Sequence, residues 1–185
     1  MNNTQKSLRF VATGAMIAAL YAGLTYAQSF ILPGSATMAV QFRVSEALNV
    51  LALFTPAAIP GLTIGCVIAN IYSIGSGLPL DMIFGSLATL GATACMWFLR
   101  NAKVGKYPLF AMIMPALWNG VIVGWEIEKF FIEGPFTMTG FFTQGGFVAL
   151  GEFAVMFTLG TALCFVMIKR GLDRKLFGAD EKKDK

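Results

Sequence analysis

The few charged residues of this chain lie almost entirely between long apolar runs, and this distribution limits what the chain can fold into. Only 13% of the 185 residues are charged, whereas 56% are hydrophobic. A small water-soluble domain cannot hide so much apolar surface from solvent. The sequence therefore predicts an integral membrane protein, with lipid as the solvent for most of its side chains.

Apolar runs of about 20 residues, the length that crosses a bilayer as an α-helix, occur four times, and two shorter runs adjoin each other. The long runs are 8–31, 83–100, 108–127 and 146–168, and the short ones are 44–58 and 61–75. Joined into one helix, the short runs would place Pro56 and Pro60 at its centre, where proline removes a backbone donor that lipid cannot replace. We therefore expect a tight helical hairpin, and six helices in all.

The positive charges favour the same topology. With six spans and a cytoplasmic N-terminus, every strongly basic segment faces the cytoplasm. These segments contain Lys6 and Arg9; Arg100, Lys103 and Lys106; and Lys169, Arg170, Arg174 and Lys175. The prediction is an all-α membrane protein with one six-helix domain over 1–171, a charged cytoplasmic tail over 172–185, and both termini inside. A cleaved signal peptide is the alternative for the first run, although its apolar region exceeds the usual length of about 7–15 residues.

Several classes of chemistry lack their usual residues here. The chain has no histidine, and Cys66, Cys95 and Cys164 lie in apolar runs without the spacing of a metal site. A phosphate-binding G-x-x-x-x-G-K-[ST] loop is also missing, so the chain cannot hydrolyse ATP alone. We expect no catalytic residue, no metal, no cofactor and no nucleic-acid partner.

The predicted outer half is acidic. Its carboxylates are Glu46, Asp81, Glu126, Glu128, Glu133 and Glu152, against only Arg43 and Lys129. Glu152 is expected about 9 Å below the outer end of the sixth helix, where a charge needs a partner or water. We interpret Glu152 as a ligand-binding group, with a structural bond to a neighbouring helix as the alternative.

The fifth predicted helix combines amide, carboxylate and indole groups. Asn119 and Glu126 share one face, and Trp118 lies beside it. Such a combination is typical of a site for a flat heterocycle, although a lipid-facing aromatic belt is the alternative for Trp118. The other candidate binding residues are Arg43 and Glu46, which are spaced for an ion pair and followed on that face by Asn49, together with Asn70, Gln144 and Asp81, the last also a candidate helix N-cap.

The first predicted helix carries two rows of small residues. Gly14, Ala18 and Ala22 form one row, and Ala15, Ala19 and Gly23 form the other. Small rows let helices approach closely, so one row can pack inside the chain while the other meets a partner protein. The candidate docking residues are Ala15, Ala18, Ala19 and Ala22.

The stretch Arg43-Val-Ser-Glu-Ala-Leu48, followed by Gly61-Leu-Thr-Ile-Gly-Cys-Val-Ile-Ala-Asn70, resembles the QueT family of queuosine-precursor transporters. The similarity runs from about the first helix to the end of the sixth. It implies the substrate-binding S component of an energy-coupling factor (ECF) transporter, a six-helix membrane protein that captures a vitamin-like compound from outside. The implied substrates are the 7-deazaguanines queuine, preQ1 and preQ0.

The resemblance also implies partners: a transmembrane coupling protein, which S components contact through small-residue rows like those of the first helix, and two cytoplasmic ATPases. Membrane lipid is a further expected partner. Three alternatives remain at this point: a stand-alone secondary transporter, a membrane enzyme that uses Glu126 and Glu152, and a structural adaptor.

Overall fold

All regular structure in the computed structural model is helical within the residues it describes, which are 2–33, 42–75, 80–102 and 108–177. The α-helices in chain order are α1 (Asn3–Ile31), α2 (Ala58–Gly75), α3 (Asp81–Leu99), α4 (Leu109–Glu126), α5 (Met138–Val155), α6 (Thr161–Lys169) and α7 (Leu172–Phe177). A 3₁₀-helix spans Val44–Leu53, and π-helical turns at Ile127–Phe131 and Met156–Gly160 extend α4 and join α5 to α6. Lys103, Lys106 and the tail from 178 to 185 lie outside the described residues.

Four helical segments are long and apolar enough to cross a membrane. They are Asn3–Ile31, Asp81–Leu99, Leu109–Phe131 and Met138–Lys169, and two shorter apolar helices accompany them. The prediction of an all-helical membrane protein is confirmed at this level. The sixth predicted helix, however, begins at Met138 and not at 146. Glu152 therefore lies 14 residues, or about 21 Å, from the start of its helix, deeper than the sequence indicated.

The predicted break between the two short apolar runs is present. The 3₁₀-helix ends at Leu53 and α2 begins at Ala58. Pro60 then falls in the first turn of α2, where its missing N–H breaks no helical hydrogen bond. The prediction of an α-helix over 44–58 is wrong, because the segment winds as a 3₁₀-helix. At a rise of about 2.0 Å per residue, its ten residues span roughly 20 Å, whereas an α-helix would span about 15 Å.

Helices α1 and α2 run parallel. The backbone of Gly14 packs closely against that of Gly61, and the Tyr26 hydroxyl donates to the Ile68 carbonyl at 2.5 Å. Residue numbers thus increase together along both helices. The chain must return between them, and the 3₁₀-helix makes this return along α1.

Two contacts fix the ends of that return. The Val44 N–H donates to Gln28 Oε1 at 2.7 Å, near the C-terminal end of α1. At the other end, the Ala57 carbonyl lies 3.3 Å from the position that a Cβ on Gly14 would occupy. The 14 residues of α1 between these contacts cover about 21 Å, which matches the rise of the 3₁₀-helix.

Helices α3, α4 and α5 pack as antiparallel neighbours. Phe84 near the start of α3 contacts Trp125 and Phe130 near the end of α4, with ring centroids 5.6 and 6.0 Å away. Helices α4 and α5 cross where Gly124 meets Gly145. At the other end of the bundle, Arg9 Nη2 donates to the Leu176 carbonyl at 2.8 Å, so the first and last described helices meet there. Buried side chains that line the 3₁₀-helix form the main core, including Val50, Leu62, Met96, Met112 and Met156.

One small-residue row of α1 is used inside the chain. Ala18 and Ala22 are 5% and 6% exposed, because they lie on the same face of α1 as Gly14, and this face packs against the bundle. Two members of the predicted docking set are thus buried inside the isolated chain, and the docking role of the set stays a prediction. Ala15 and Ala19 remain exposed, and a Cβ added at Gly23 would meet no atom within 4 Å.

We predict that Gly61→Ala destabilises the protein. The added Cβ would lie 2.7 Å from the Gly14 carbonyl oxygen and 3.1 Å from its Cα, and neither backbone atom can move aside. Overpacking costs about 1–3 kcal/mol, more than the gain of about 1 kcal/mol for replacing a helical glycine. Thermal melting of purified protein measures the change. Gly23→Ala is the matched control and should melt at or above the wild-type temperature; equal melting of both variants would contradict the close α1–α2 contact.

Candidate functional site

Polar side chains of α1 bind the chain segment that enters the 3₁₀-helix. Tyr21, Thr25 and Gln28 follow helical spacing and are buried on one face. The Thr25 and Ser45 hydroxyls are 2.7 Å apart and share a hydrogen bond. Gln28 donates to the Phe42 carbonyl and accepts from the N–H of Val44. The residue between these two contacts, Arg43, is therefore held on both sides by a single glutamine.

Both oxygens of Glu46 are used by the protein. The Tyr21 hydroxyl donates to Oε1, and Asn49 Nδ2 donates to Oε2 at 2.6 Å. The side chain is 2% exposed. Hydrogen bonds to both oxygens offset the cost of burying this carboxylate. Glu46 therefore has a structural role, whether or not it also contacts a ligand.

Arg43 pairs with Asp81 and not with Glu46. Its Nη2 lies 3.5 Å from Asp81 Oδ2. The backbones of Arg43 and Glu46 are joined, since the Glu46 N–H donates to the Arg43 carbonyl at 3.0 Å, but Arg43 precedes the helix with extended backbone angles (φ −102°, ψ 103°) and its side chain pairs elsewhere. The prediction of Asp81 as N-cap is also wrong: Leu80 occupies that position without a side-chain cap, and the Asp81 carboxylate faces Arg43.

Several buried polar atoms have no hydrogen-bond partner among the described residues. They include both carboxylate oxygens of Glu126, Oε2 of Glu152, Nε of Arg43, Oδ1 of Asn49 and Oγ of Ser86. Glu126 is 1% exposed and Glu152 is 6% exposed. Leaving a buried charged group unpaired costs several kcal/mol. These atoms are therefore the ones a polar ligand would stabilise most.

Arg43 lies within electrostatic range of several carboxyl groups. These are Glu46, Asp81, Glu126 and Glu152. Among the described residues, only Asp81 is close enough to form an ion pair with it. An ionised carboxylate has no hydrogen-bond donor and can only accept. This cluster therefore favours a ligand with several N–H donors or a positive charge.

The other predicted polar residues lie around this cluster with some of their groups already used. Asn70 Nδ2 donates to the Asp81 carbonyl at 3.0 Å, and Asn119 Nδ2 donates to the Pro115 carbonyl at 3.1 Å within α4. Gln144 is half-buried next to the crossing of α4 and α5. The structure thus brings Asn70 to Asp81 and places Asn119 on the buried face of α4 with Glu126.

Trp118 lies apart from the buried carboxylates. It is 36% exposed, and its ring covers Gly91 of α3 so closely that a Cβ there would overlap it. Trp125 is 39% exposed and contacts Phe84 and Phe130. Trp125 lies near the end of α4, where a lipid-facing aromatic belt is expected, whereas Trp118 lies near the middle of the Leu109–Phe131 segment. Ligand stacking by Trp118 stays a prediction.

Two buried polar residues escaped prediction from sequence: Tyr21 beside Glu46, and Ser86 of α3, whose hydroxyl has no partner among the described residues. Tyr21 lies on one face of α1 with Thr25 and Gln28. Their spacing of four and then three residues is helical and could have predicted a buried polar face. Ser86 gave no such signal, since serine is common in apolar membrane helices as a packing residue.

Glu128 forms a separate, satisfied carboxylate site. Its Oε1 accepts from the N–H and hydroxyl of Thr137 at 3.1 and 2.7 Å. The carboxylate also lies directly over Gly140, where no side chain would fit. Glu128 thereby joins the end of α4 to the start of α5 and provides an internal comparison for the unpaired carboxylates.

Comparison with known proteins identifies the family. A family model described as QueT transporter matches residues 11–169. The chain belongs to the QueT transporter family. It is also 35% identical over 173 residues to the Queuosine precursor transporter QueT of Lactococcus lactis subsp. cremoris (strain MG1363), covering 87% of this chain and 91% of that protein. No solved structure gives a significant match.

Family membership decides between the functional classes left open by the sequence. The chain is a transporter and not an enzyme, and it is a multi-pass protein of the plasma membrane. These predictions are confirmed. The alternative of a membrane enzyme based on Glu126 and Glu152 is excluded by the same finding.

We predict that Arg43→Gln destabilises the protein by about 3 kcal/mol, because it leaves the Asp81 carboxylate buried and unpaired. The double variant Arg43→Gln/Asp81→Asn should recover part of this loss, since it removes the orphaned charge as well. Melting curves of the two single variants and the double variant, without ligand, complete the thermodynamic cycle. Strictly additive effects would show that the pair makes no net contribution.

Proposed function

We propose that this chain is the substrate-binding S component of an ECF transporter that imports a queuosine precursor of the 7-deazaguanine class, namely queuine, preQ1 or preQ0. The observation that carries the proposal is the set of buried, unpartnered carboxylate oxygens on Glu126 and Glu152 beside Arg43. The name of the Lactococcus lactis relative supports the substrate class.

A 7-deazaguanine matches the chemistry of these groups. Its guanine-like edge carries adjacent N–H donors, which one carboxylate can accept as a pair. Glu126 offers two free oxygens for that edge. The ring carbonyl is an acceptor and suits the free Nε–H of Arg43. Because each of these protein groups is buried, every hydrogen bond formed would relieve an existing desolvation cost.

A cationic ligand would also supply counter-charge. The cluster contains one guanidinium and four carboxyl groups, and an ammonium group beside one of them would stabilise its ionised form. The aminomethyl group of preQ1 adds a positive charge, whereas the nitrile of preQ0 is neutral. We expect preQ1 to bind more tightly than preQ0, with Glu152 as the partner of the ammonium group.

The proposed topology has six crossings and cytoplasmic termini. Its support comes from the parallel course of α1 and α2, which requires the 3₁₀-helix to return across the bundle. The contact between Arg9 and the Leu176 carbonyl supports an even number of crossings. Basic residues collect at that end, as expected for the cytoplasmic side, and the buried carboxylate cluster then belongs to the outer half.

Energy for import would come from partner subunits, a transmembrane coupling protein and two ATPases. The exposed part of the small-residue rows, Ala15 and Ala19, is the proposed docking surface. Ala18 and Ala22 are left out of it because they are buried inside the chain.

We predict that Glu126→Gln and Glu152→Gln each weaken preQ1 binding by about tenfold or more, since a charge-assisted hydrogen bond contributes about 1.5–3 kcal/mol. Calorimetry on purified protein, with queuine, preQ1, preQ0, guanine and common vitamins as the panel, measures affinity and class. Glu128→Gln is the matched control: it replaces an equally buried carboxylate that is already paired with Thr137.

Two results would contradict different parts of the proposal. Unchanged preQ1 affinity in both glutamine variants would remove Glu126 and Glu152 from the site while leaving the substrate class intact. Binding of a vitamin, with no binding of any deazaguanine, would contradict the proposed function itself.

We predict that Ala15→Leu and Ala19→Leu abolish uptake in cells that express the complete transporter, yet leave preQ1 binding by the isolated chain within about twofold. Larger side chains would hold a partner helix away. Ala162→Leu, at an exposed position of α6, is the control and should transport normally. Uptake into liposomes by this chain alone would instead indicate a stand-alone secondary transporter.

A further inference from the structure

The end of the bundle where the chain termini meet contains an open groove of about 430 Å³. The N-terminal turns of α1, the turn at residues 55–57 and the end of α7 form its walls. This groove lies at the opposite end from the carboxylate cluster, and no step of the proposed transport cycle uses it.

Both cationic and apolar side chains line the groove. Lys6, Ser7 and Arg9 provide ammonium, hydroxyl and guanidinium groups. Phe10 and Leu176, which also line it, are 43% and 51% exposed. A small soluble anion would use only the first set of groups. A ligand with both an anionic head and a hydrocarbon chain would use both sets.

Arg9 is held in position for such a ligand. One of its N–H groups donates to the Leu176 carbonyl, and a guanidinium has five donors in total. Most of its donors therefore remain for an anion. Within the part of the chain that the structure describes, neither Lys6 nor Arg9 forms an ion pair.

The depth of the groove also fits a lipid headgroup. Helix α1 has 29 residues and is about 43 Å long, whereas the hydrocarbon core of a bilayer is roughly 30 Å thick. Residues 3–7 of α1 are polar and its apolar run begins at Leu8, so part of the excess length lies at this end, in the headgroup layer. Phe10, the next residue after Arg9, then faces the outermost part of the acyl chains.

We propose that this groove binds one anionic phospholipid of the surrounding membrane, with its phosphate between Lys6 and Arg9 and an acyl chain along Phe10 and Leu176. The bound lipid connects α1 to α7, since the same arginine contacts both the headgroup and the α7 backbone. This proposal does not depend on the identity of the transported compound.

Native mass spectrometry and thermal melting of the full chain in detergent test the proposal, with phosphatidylglycerol and phosphatidylcholine of identical acyl chains as probes. We expect one phosphatidylglycerol to stay bound and to raise the melting temperature, and phosphatidylcholine to do neither. Lys6→Gln/Arg9→Gln should weaken this binding by about tenfold or more. Lys6→Gln alone should also weaken it, without touching the bond between Arg9 and Leu176.

The matched control is Lys169→Gln/Arg170→Gln, which removes two exposed charges from the same end of the bundle but outside the groove. This variant should retain phosphatidylglycerol. Equal losses in both double variants would indicate general surface attraction and overturn the proposal. Equal stabilisation by inorganic phosphate would indicate a small-anion site and overturn the lipid assignment, as would equal binding of the two phospholipids.

Discussion

The hydrogen bonds from α1 to residues 42–46 are the interaction on which the carboxylate cluster depends. Gln28 binds the chain on either side of Arg43, and Tyr21 binds the Glu46 carboxylate. These contacts place the only guanidinium of the cluster beside Asp81 on α3. They also place the start of the 3₁₀-helix near the C-terminal end of α1, so that the helix can run back along α1 toward Gly14. A polar stripe on one helix thereby determines both the chain path and the position of the site.

Buried carboxylates in this protein fall into two groups that differ in their partners. Glu46 and Glu128 have their hydrogen bonds supplied by nearby side chains and backbone. Glu126 and Glu152 lie equally deep, but both oxygens of Glu126 and Oε2 of Glu152 lack hydrogen-bond partners within the described residues. Since burial without pairing reduces stability, a fold that needed these residues only for structure would pair them as it pairs Glu46. The contrast is the physical basis for the proposal that the second group binds the ligand.

Features that depend on the properties of single residues could be predicted from the sequence. Features that depend on contacts with other segments of the chain could not. Pro56 and Pro60 predicted the break before α2, because two closely spaced prolines followed by Gly61 disfavour a continuous helix. A single proline, Pro115, is accommodated inside α4. The 3₁₀ winding of 44–53 was not predictable, since it follows from the distance that the return must cover. The partner of Arg43 depended on an extended backbone that spacing alone could not indicate. The position of Trp118 over Gly91 was equally hard to foresee, because an apolar helix offers little contrast between its faces.

Helix α1 contributes to three regions of the molecule: the carboxylate cluster, the proposed docking surface and the groove beside α7. Its buried face holds the segment that carries Arg43 and Glu46, its exposed small residues form the proposed docking surface, and its first turns line the groove beside α7. The close glycine contact between α1 and α2 prevents the two helices from separating without a large packing cost. A partner that tilted α1 would therefore move α2 and the residues bound to α1 with it. In the proposed transporter, the ligand site would follow the docking helix as one body, so coupling needs no further transmitting element between them.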